Sequence, residues 1–267
     1  MKARAAGTLM ALLGAACSSS HRIQLPAAIT DHAWSGSSFY AKASAMHWQQ
    51  RDSMALDWFN RGQVPRFWRR FPIIKIHGRD SGGRAVSILL RVSPDYLVLG
   101  YDADWVRVPT TPMAAQQMMD KVGAVFPTSL IVDSIWSQAK LTLAPLPMVA
   151  YRDSGATMYA HHLMIEGQRG GLPGLIAGIK KDVVSSPKLL ERSHRVAIYG
   201  WHRPDGRPIQ PLYVGHVNWY VDYSHGIRFV LNEVRLNGRR LLLTNLLADG
   251  RYRHLLSRED SSRYIRY

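Results

Sequence analysis

The chain has 267 residues, of which 46% are apolar or aromatic and 20% charged; this is enough apolar side chain for a sizeable core and excludes a globally disordered chain. Its formal net charge of +15 favours anionic partners, yet the basic residues are dispersed, with no Lys/Arg run of five, no zinc-finger spacing and no aromatic RNA-binding motif, so no specific nucleic-acid reader is implied. Cys17 is the single cysteine, which excludes disulfides, cysteine zinc sites and a cysteine nucleophile from the body of the chain.

In chain order, residues 1–17 (MKARAAGTLMALLGAAC) place Lys2 and Arg4 before an apolar run that ends in small residues. A basic head, a short apolar centre and a small-residue end read as a secretory signal peptide, too short to span a bilayer. Leu13-Gly14-Ala15-Ala16-Cys17 resembles the lipobox of bacterial lipoproteins, with Gly14 where that motif prefers Leu. The resemblance implies a lipid anchor at Cys17; cleavage without lipidation is the alternative. Either route exports the protein to a periplasmic, envelope-anchored or extracellular place. Residues 18–45 are small and polar and read as a tether, leaving 46–267 as the folded domain.

Within 45–62, apolar residues at Met46, Trp48, Met54, Leu56, Trp58 and Phe59 predict a helix that stops at Gly62. A strand over 73–77, the turn Asp80-Ser81-Gly82-Gly83 and the returning RAVSILLRV form a hairpin. Two more short strands about 101–104 extend it into an antiparallel meander over 73–109. Thr111-Pro112 and Pro127-Thr128 are helix starts. Residues 151–170 fit a strand and then a helix. AGIKKDVVSS (177–186) and HRVAIYGWH read as strands, RPDGRP as a turn, IQPLY as the return strand, and EVRLNGRRLLL as a hairpin about Asn237-Gly238. The tail reads as helical. Hairpins with helices grouped between them predict an α+β fold: antiparallel sheets with a central helical cluster, in a single domain.

GHVNWYVDYSHGIRFV, residues 215–230, carries the most chemistry. Read as a strand, it puts His216, Asn218, Tyr220, Asp222 and Ser224 on one face, and Val217, Trp219, Val221, Tyr223 and His225 on the other. His216 and Asp222 would then stand roughly 20 Å apart, so a shared site requires a bend or reversal between them. Asp222 and Ser224 stand about 7 Å apart on one face, and His225 joins them only through a local bulge. His202, at the end of the preceding strand, is the candidate from outside the stretch. His202, Asp222 and His225 have the composition of a hydrolytic zinc site, with His216 as a further ligand or supporting group. The same groups without metal make an acid–base site in which a carboxylate orients an imidazole.

Ser224 is a weaker nucleophile candidate, because Asp222 replaces the first glycine of G-x-S-x-G and a strand-like segment follows where that motif turns into a helix. Lys181 and Arg228 suit an anionic substrate group, with Asn218, Tyr220 and Tyr223 as further substrate contacts. The alternative for Lys180, Lys181 and Asp182 is an edge strand whose charges discourage aggregation. His161-His162 and the Asp102/Asp104 pair read as surface features; Asp102-x-Asp104 lacks the remaining ligands of a calcium loop.

On the phrases PDYLVLGYDADWVRVP, PTSLIVDSIW, AGIKKDVV, VAIYGWHRPDGRPIQPL and YVDYSHGIR, residues 60–257 resemble a family of exported bacterial proteins. The resemblance implies export but no particular activity. That family often carries His where Ile179 stands here, so a contact from that position is missing. A looser likeness to metallopeptidases that cleave D-amino-acid peptides in cell walls fails on spacing: their motif is H-x6-D with a later His, whereas His216 and Asp222 make H-x5-D and Trp201-His202 comes earlier. The leading expectation is an exported hydrolase acting on peptide or amide bonds of an anionic cell-wall or extracellular polymer through a His/Asp site that holds zinc. The alternatives are a non-catalytic glycan-binding envelope lipoprotein and a metal-free polysaccharide-cleaving enzyme that uses Tyr and His.

Overall fold

A computed structural model describes residues 21–260 and 263–267. Residues 1–17, read from sequence as a signal peptide, lie outside the described residues. Among those described, no helix is long and apolar enough to cross a membrane.

The fold is α+β, with six α-helices among the described residues and mainly antiparallel sheets. Helix α1 spans Gly36–Ala43 and α2 spans Trp48–Asn60. Strands β1 (Ile73–Arg79) and β2 (Ala85–Arg91) pair as the hairpin about Asp80–Gly83. Strands β3 (Val98–Tyr101) and β4 (Asp104–Arg107) form a second hairpin that pairs with no other strand. The expected meander is therefore two separate hairpins. Helices α3 (Pro112–Val122) and α4 (Ser129–Gln138) follow, capped by the Thr111 and Thr128 hydroxyls as their sequences predict. Helix α5 spans Gly155–Arg169, and residues 151–154 before it form a turn, not the expected strand. Then come β5 (Lys181–Val183), β6 (Ile198–His202), β7 (Pro208–Tyr213) and β8 (His225–Gly226), and finally β9 (Glu233–Leu236), β10 (Arg239–Leu242) and α6 (Leu243–Ala248). The tail beyond α6 holds one 3-10 turn, Arg253–Leu255, and no further α-helix.

One sheet runs β10-β9-β2-β1 and is antiparallel throughout. Asn237 and Gly238 take φ of 48° and 85° at its β9–β10 turn, the left-handed pair that a two-residue hairpin requires. The other sheet runs β7-β6-β5-β8, and its β5–β8 pair is parallel. Helix α4 serves both sheets: Ile131 and Ile135 join the core under the first, and Val132 joins the cluster under the second.

Residues 36–43 correct the tether reading. Gly36, Phe39, Tyr40 and Ala43 are buried, and Phe39 and Tyr40 join the large core with Trp58 and Phe59. A Cβ at Gly36 would meet the Trp105 backbone at 2.5 Å, so only glycine lets α1 approach β4 this closely. Asp104 accepts from the Ser37 amide at 3.0 Å and its hydroxyl at 2.5 Å, and Tyr40 donates to the Arg107 carbonyl at 2.8 Å. The segment looks like a linker in sequence because Phe39 and Tyr40 are the only large apolar residues it turns inward, and their partners are distant in the chain.

Arg107 anchors a buried polar centre, meeting Asp95 with two bonds of 2.9 and 2.7 Å and Glu166 at 2.8 Å. His162 lies against it, with its Nδ1 at 3.4 Å from the Arg107 amide. His161 and His162 are buried, correcting the expectation that they lie at the surface.

Phe39→Ala should cost about 3–5 kcal/mol, the usual range for emptying a buried phenylalanine site. Chemical denaturation of the two proteins measures it, and a loss below about 1 kcal/mol would mean that α1 does not belong to the core.

Candidate functional site

Residues 216–226 are not one strand. The Tyr220 amide donates to the Val217 carbonyl at 3.1 Å and closes a first turn, tied to the chain at His194 by the Asn218 amide at 3.0 Å. The second turn is built by Asp222, whose Oδ1 accepts from the Ser224 amide at 2.8 Å and the Ser224 hydroxyl at 2.6 Å. The His225 amide donates to the Asp222 carbonyl at 3.1 Å. Aspartate folding back on the amide two residues later is a common local turn. Val221 and Tyr223 bury themselves in the large core on either side of Asp222, which fixes where the carboxylate points. These reversals supply the bend that an extended reading of His216 and Asp222 required. The His216 and His225 rings lie 6.0 Å apart, with the Tyr220 ring 5.0 Å from the first and 5.9 Å from the second.

The second sheet supplies the other wall. Lys181 stands beside His225 in the parallel β5–β8 register, so both side chains leave the same face. The Lys181 amide donates to the Ser224 carbonyl at 2.7 Å, and its ammonium sits 5.1 Å over the Trp201 ring. Arg152 donates to Asp222 Oδ2 at 3.0 Å and the Tyr220 hydroxyl to the same oxygen at 3.3 Å. Strand β5 lies inside the sheet, paired on both sides, which overturns the edge-strand reading of Lys180–Asp182.

Burial pushes the His225 imidazole down to about 4, helped by the cations Lys181, His216 and Lys180 and opposed by Asp222. It is therefore neutral at neutral pH. Its Nε2 is buried and has no hydrogen-bond partner among the described residues. Burial works to raise the Asp222 carboxyl, but the imidazolium that His225 becomes in acid, the Ser224 donors and Arg152 hold it down at about 2. Burial also lowers Lys181 and His216. Behind this layer Lys180 is fully buried, with its Nζ 3.1 Å from His161 Nδ1 and bonded to the Tyr223 carbonyl. Burial and Arg107 bring Lys180 down to about 7.

Of the residues singled out in sequence, His216, Tyr220, Asp222, Ser224, His225 and Lys181 come together. His202 does not. Lys181 and Asp182 leave opposite faces of β5; Asp182 pairs with Tyr199 in register, and Tyr199 shares the Asp133 carboxylate with His202. Tyr199 and His202 reach one side because Trp201 takes a φ of 55° and breaks the strand alternation between them. His202 Nε2 lies 2.8 Å from Asp133 Oδ1, and its ring stacks on Trp136 at 5.7 Å. The grouping of His202 with Asp222 and His225 as zinc ligands is thus corrected: His202 faces Asp133, and Asp222 spends both oxygens on Ser224, Arg152 and Tyr220. Among the described residues, no group of three or more His, Cys, Asp or Glu side chains is arranged to hold a metal ion.

Arg228 and Tyr223 are also corrected as substrate contacts. Arg228 is buried under Tyr96, 4.1 Å from its ring, and donates to the Ser93 and Ile176 carbonyls. Tyr223 spends its hydroxyl on the Met148 backbone at 2.6 and 3.0 Å. The buried Ser224 hydroxyl is committed to Asp222, where it locks the turn. Asn218 contributes its amide to the first turn. Arg152, Trp201 and His161 escaped sequence reasoning, because each arrives from a distant element and none lies in a recognisable spacing.

A cavity of about 780 Å³ lies elsewhere and includes Tyr199 and Arg258 in its walls. The carboxylate behind it is saturated, since Asp133 already accepts from Tyr199, His202 and Arg258. Two buried imidazole nitrogens without a partner among the described residues, His225 Nε2 and His161 Nε2, belong to the Asp222–His225 cluster and the layer behind it, and that cluster is the better candidate site. No family model, no curated protein and no solved structure matches the chain.

His161 and His162 are likewise held down by burial, each to about 2, with Lys180 the next cause for the first and Arg107 for the second. These two and His225 have folded pKa values below the ordinary 6.5, so protons favour the unfolded chain. The contribution of these three imidazoles should be full above pH 6.5 and fall as pH drops below it, by up to about 1.4 kcal/mol per imidazole per pH unit, offset in part by Asp182, whose raised carboxyl takes its proton first in the folded chain. Asp222 adds a further loss below pH 4, because the unfolded carboxyl takes its proton first. Denaturant midpoints between pH 7 and 4.5 measure the slope, and His225→Asn should make it shallower by about one proton. A flat profile would rule out neutral burial.

Proposed function

We propose that this protein is an exported hydrolase acting on an anionic envelope or extracellular polymer, with His225 transferring the proton. The reading is carried by the His225 Nε2 atom, which is buried, unpartnered and neutral at neutral pH beside two cationic side chains and a second imidazole. A neutral imidazole in that setting is a proton acceptor for water. In this reading His225 takes a proton from a water molecule as its oxygen bonds to an amide carbonyl carbon. The carbon–nitrogen bond then breaks, and the imidazolium returns the proton to the departing nitrogen.

Lys181 holds the anionic group of the polymer, and Arg152 the charge that develops on the carbonyl oxygen. Asp222 fixes the turn that presents His225 and keeps Arg152 in place. His216 and Tyr220 are half-buried over His225 and form the entrance. Signal-directed export agrees with such a substrate, and the dispersed positive charge favours association with anionic envelope material.

His225→Gln should lose at least about a hundredfold in turnover, the usual contribution of a general base, while its circular dichroism matches the parent. Release of new amino groups from a crude envelope preparation reports the turnover. The wild-type rate should stay level from neutral pH down to about 5 and decline toward the His225 pKa of about 4. A rate that tracks an ordinary histidine near 6.5, or a His225→Gln protein as active as its parent, would overturn the reading. Lys181→Met should raise KM about tenfold at nearly constant kcat if the ammonium holds substrate uniformly.

A further inference from the structure

Tyr220 is shared between the candidate site and a neighbouring cavity of about 280 Å³, whose walls include Trp48, Arg51, Asp153, Val217 and Trp219. That size falls just below the roughly 300–1,000 Å³ common for drug-sized ligands, and suits a single ring. The lining is unusual in three respects. Trp219 is 44% exposed, a large apolar surface on a short polar turn. Arg51 is only 4% exposed; one terminal nitrogen donates to the Asp153 carbonyl at 3.2 Å, while its buried Nε has no partner among the described residues. Asp153 is itself exposed and offers a carboxylate acceptor.

A buried guanidinium with an unused N–H is costly unless an oxygen meets it. A purely apolar ligand would leave that donor unmet, and a simple anion would face the Asp153 carboxylate. A sugar ring answers all three features. Its C–H face stacks on an indole, and its hydroxyls accept from a cation and donate to a carboxylate. Tyr220, which lines this cavity, also has its ring 5.9 Å from the His225 imidazole. We infer that this cavity is a sugar subsite, so that the polymer cleaved carries its scissile amide on or next to a saccharide. The inference rests on the hydrolase reading for the bond that is cut, but not for the binding of the sugar.

Calorimetric titration of the protein with soluble oligomers of β-linked N-acetylglucosamine and, separately, of β-linked glucose tests it. Binding of the first alone assigns an acetamido sugar; binding of both assigns recognition of the ring and its hydroxyls. Trp219→Ala, an exposed position whose loss leaves the core intact, should weaken binding at least about tenfold, as expected for an aromatic anchor. Arg51→Lys, which keeps the charge and removes the Nε donor, should weaken it as well. His225→Gln should bind the oligomer like the parent. No binding by the parent, or parental affinity in Trp219→Ala, overturns the subsite. If Trp219→Ala loses affinity while His225→Gln keeps its turnover, the sugar subsite stands and the hydrolase reading fails. If His225→Gln loses turnover while Trp219→Ala binds normally, the reverse holds.

Discussion

Three consecutive ionisable side chains, Lys180, Lys181 and Asp182, run through the interior of a sheet, and their satisfaction organises everything around them. Buried charges persist only where partners surround them. Asp182 leaves one face and is met by the Tyr96 hydroxyl at 2.9 Å, with the Arg228 Nε 3.9 Å away. Lys181 leaves the other and meets the Trp201 ring, in the field of Asp222. Lys180, just before the strand, reaches His161 and the Tyr223 carbonyl. The second sheet, α5 and the two turns before β8 are therefore held in one arrangement by the need to pair these groups. Even so, burial and Arg228, the leading influences on Asp182, leave its carboxyl at about 6.

The same demand explains how the candidate site acquires its character. A carboxylate with four donors, Ser224 twice, Arg152 and Tyr220, has little left to offer a ligand. Its work is to hold a turn. The imidazole after that turn is the opposite case: it is buried, deprotonated and unspent. Polar groups cost free energy when left unmade in a folded interior, so an unspent one marks a place where stability has yielded to another requirement. The His202–Asp133 pair on the opposite face shows the contrast, since the Asp133 carboxylate there is shared by Tyr199, His202 and Arg258.

Most of the fold was legible because its signals are local. Threonine caps, the Asn237-Gly238 turn and the Asp80–Gly83 hairpin depend only on neighbouring residues, and each forms where the pattern places it. The tether over 18–45 and the surface placement of His161 and His162 were misread for one reason. Burial of a short or polar segment is decided by what arrives from elsewhere, here β4 against α1 and Arg107 against α5. The strand reading of 216–225 failed differently: alternating polar and apolar residues satisfy a period of two whether the chain extends or turns twice.

By itself, the sequence determined the fold class, the caps and turns, the absence of cysteine chemistry beyond Cys17, and the stretch in which imidazoles and a carboxylate concentrate. These follow from composition and from contacts within a few residues. Only the tertiary structure decided which imidazoles meet. A left-handed Trp201 sends His202 to Asp133, and an aspartate-locked turn brings His225 to His216 and Lys181. The face a side chain takes depends on backbone reversals and on partners from distant strands, and no spacing along the chain encodes either.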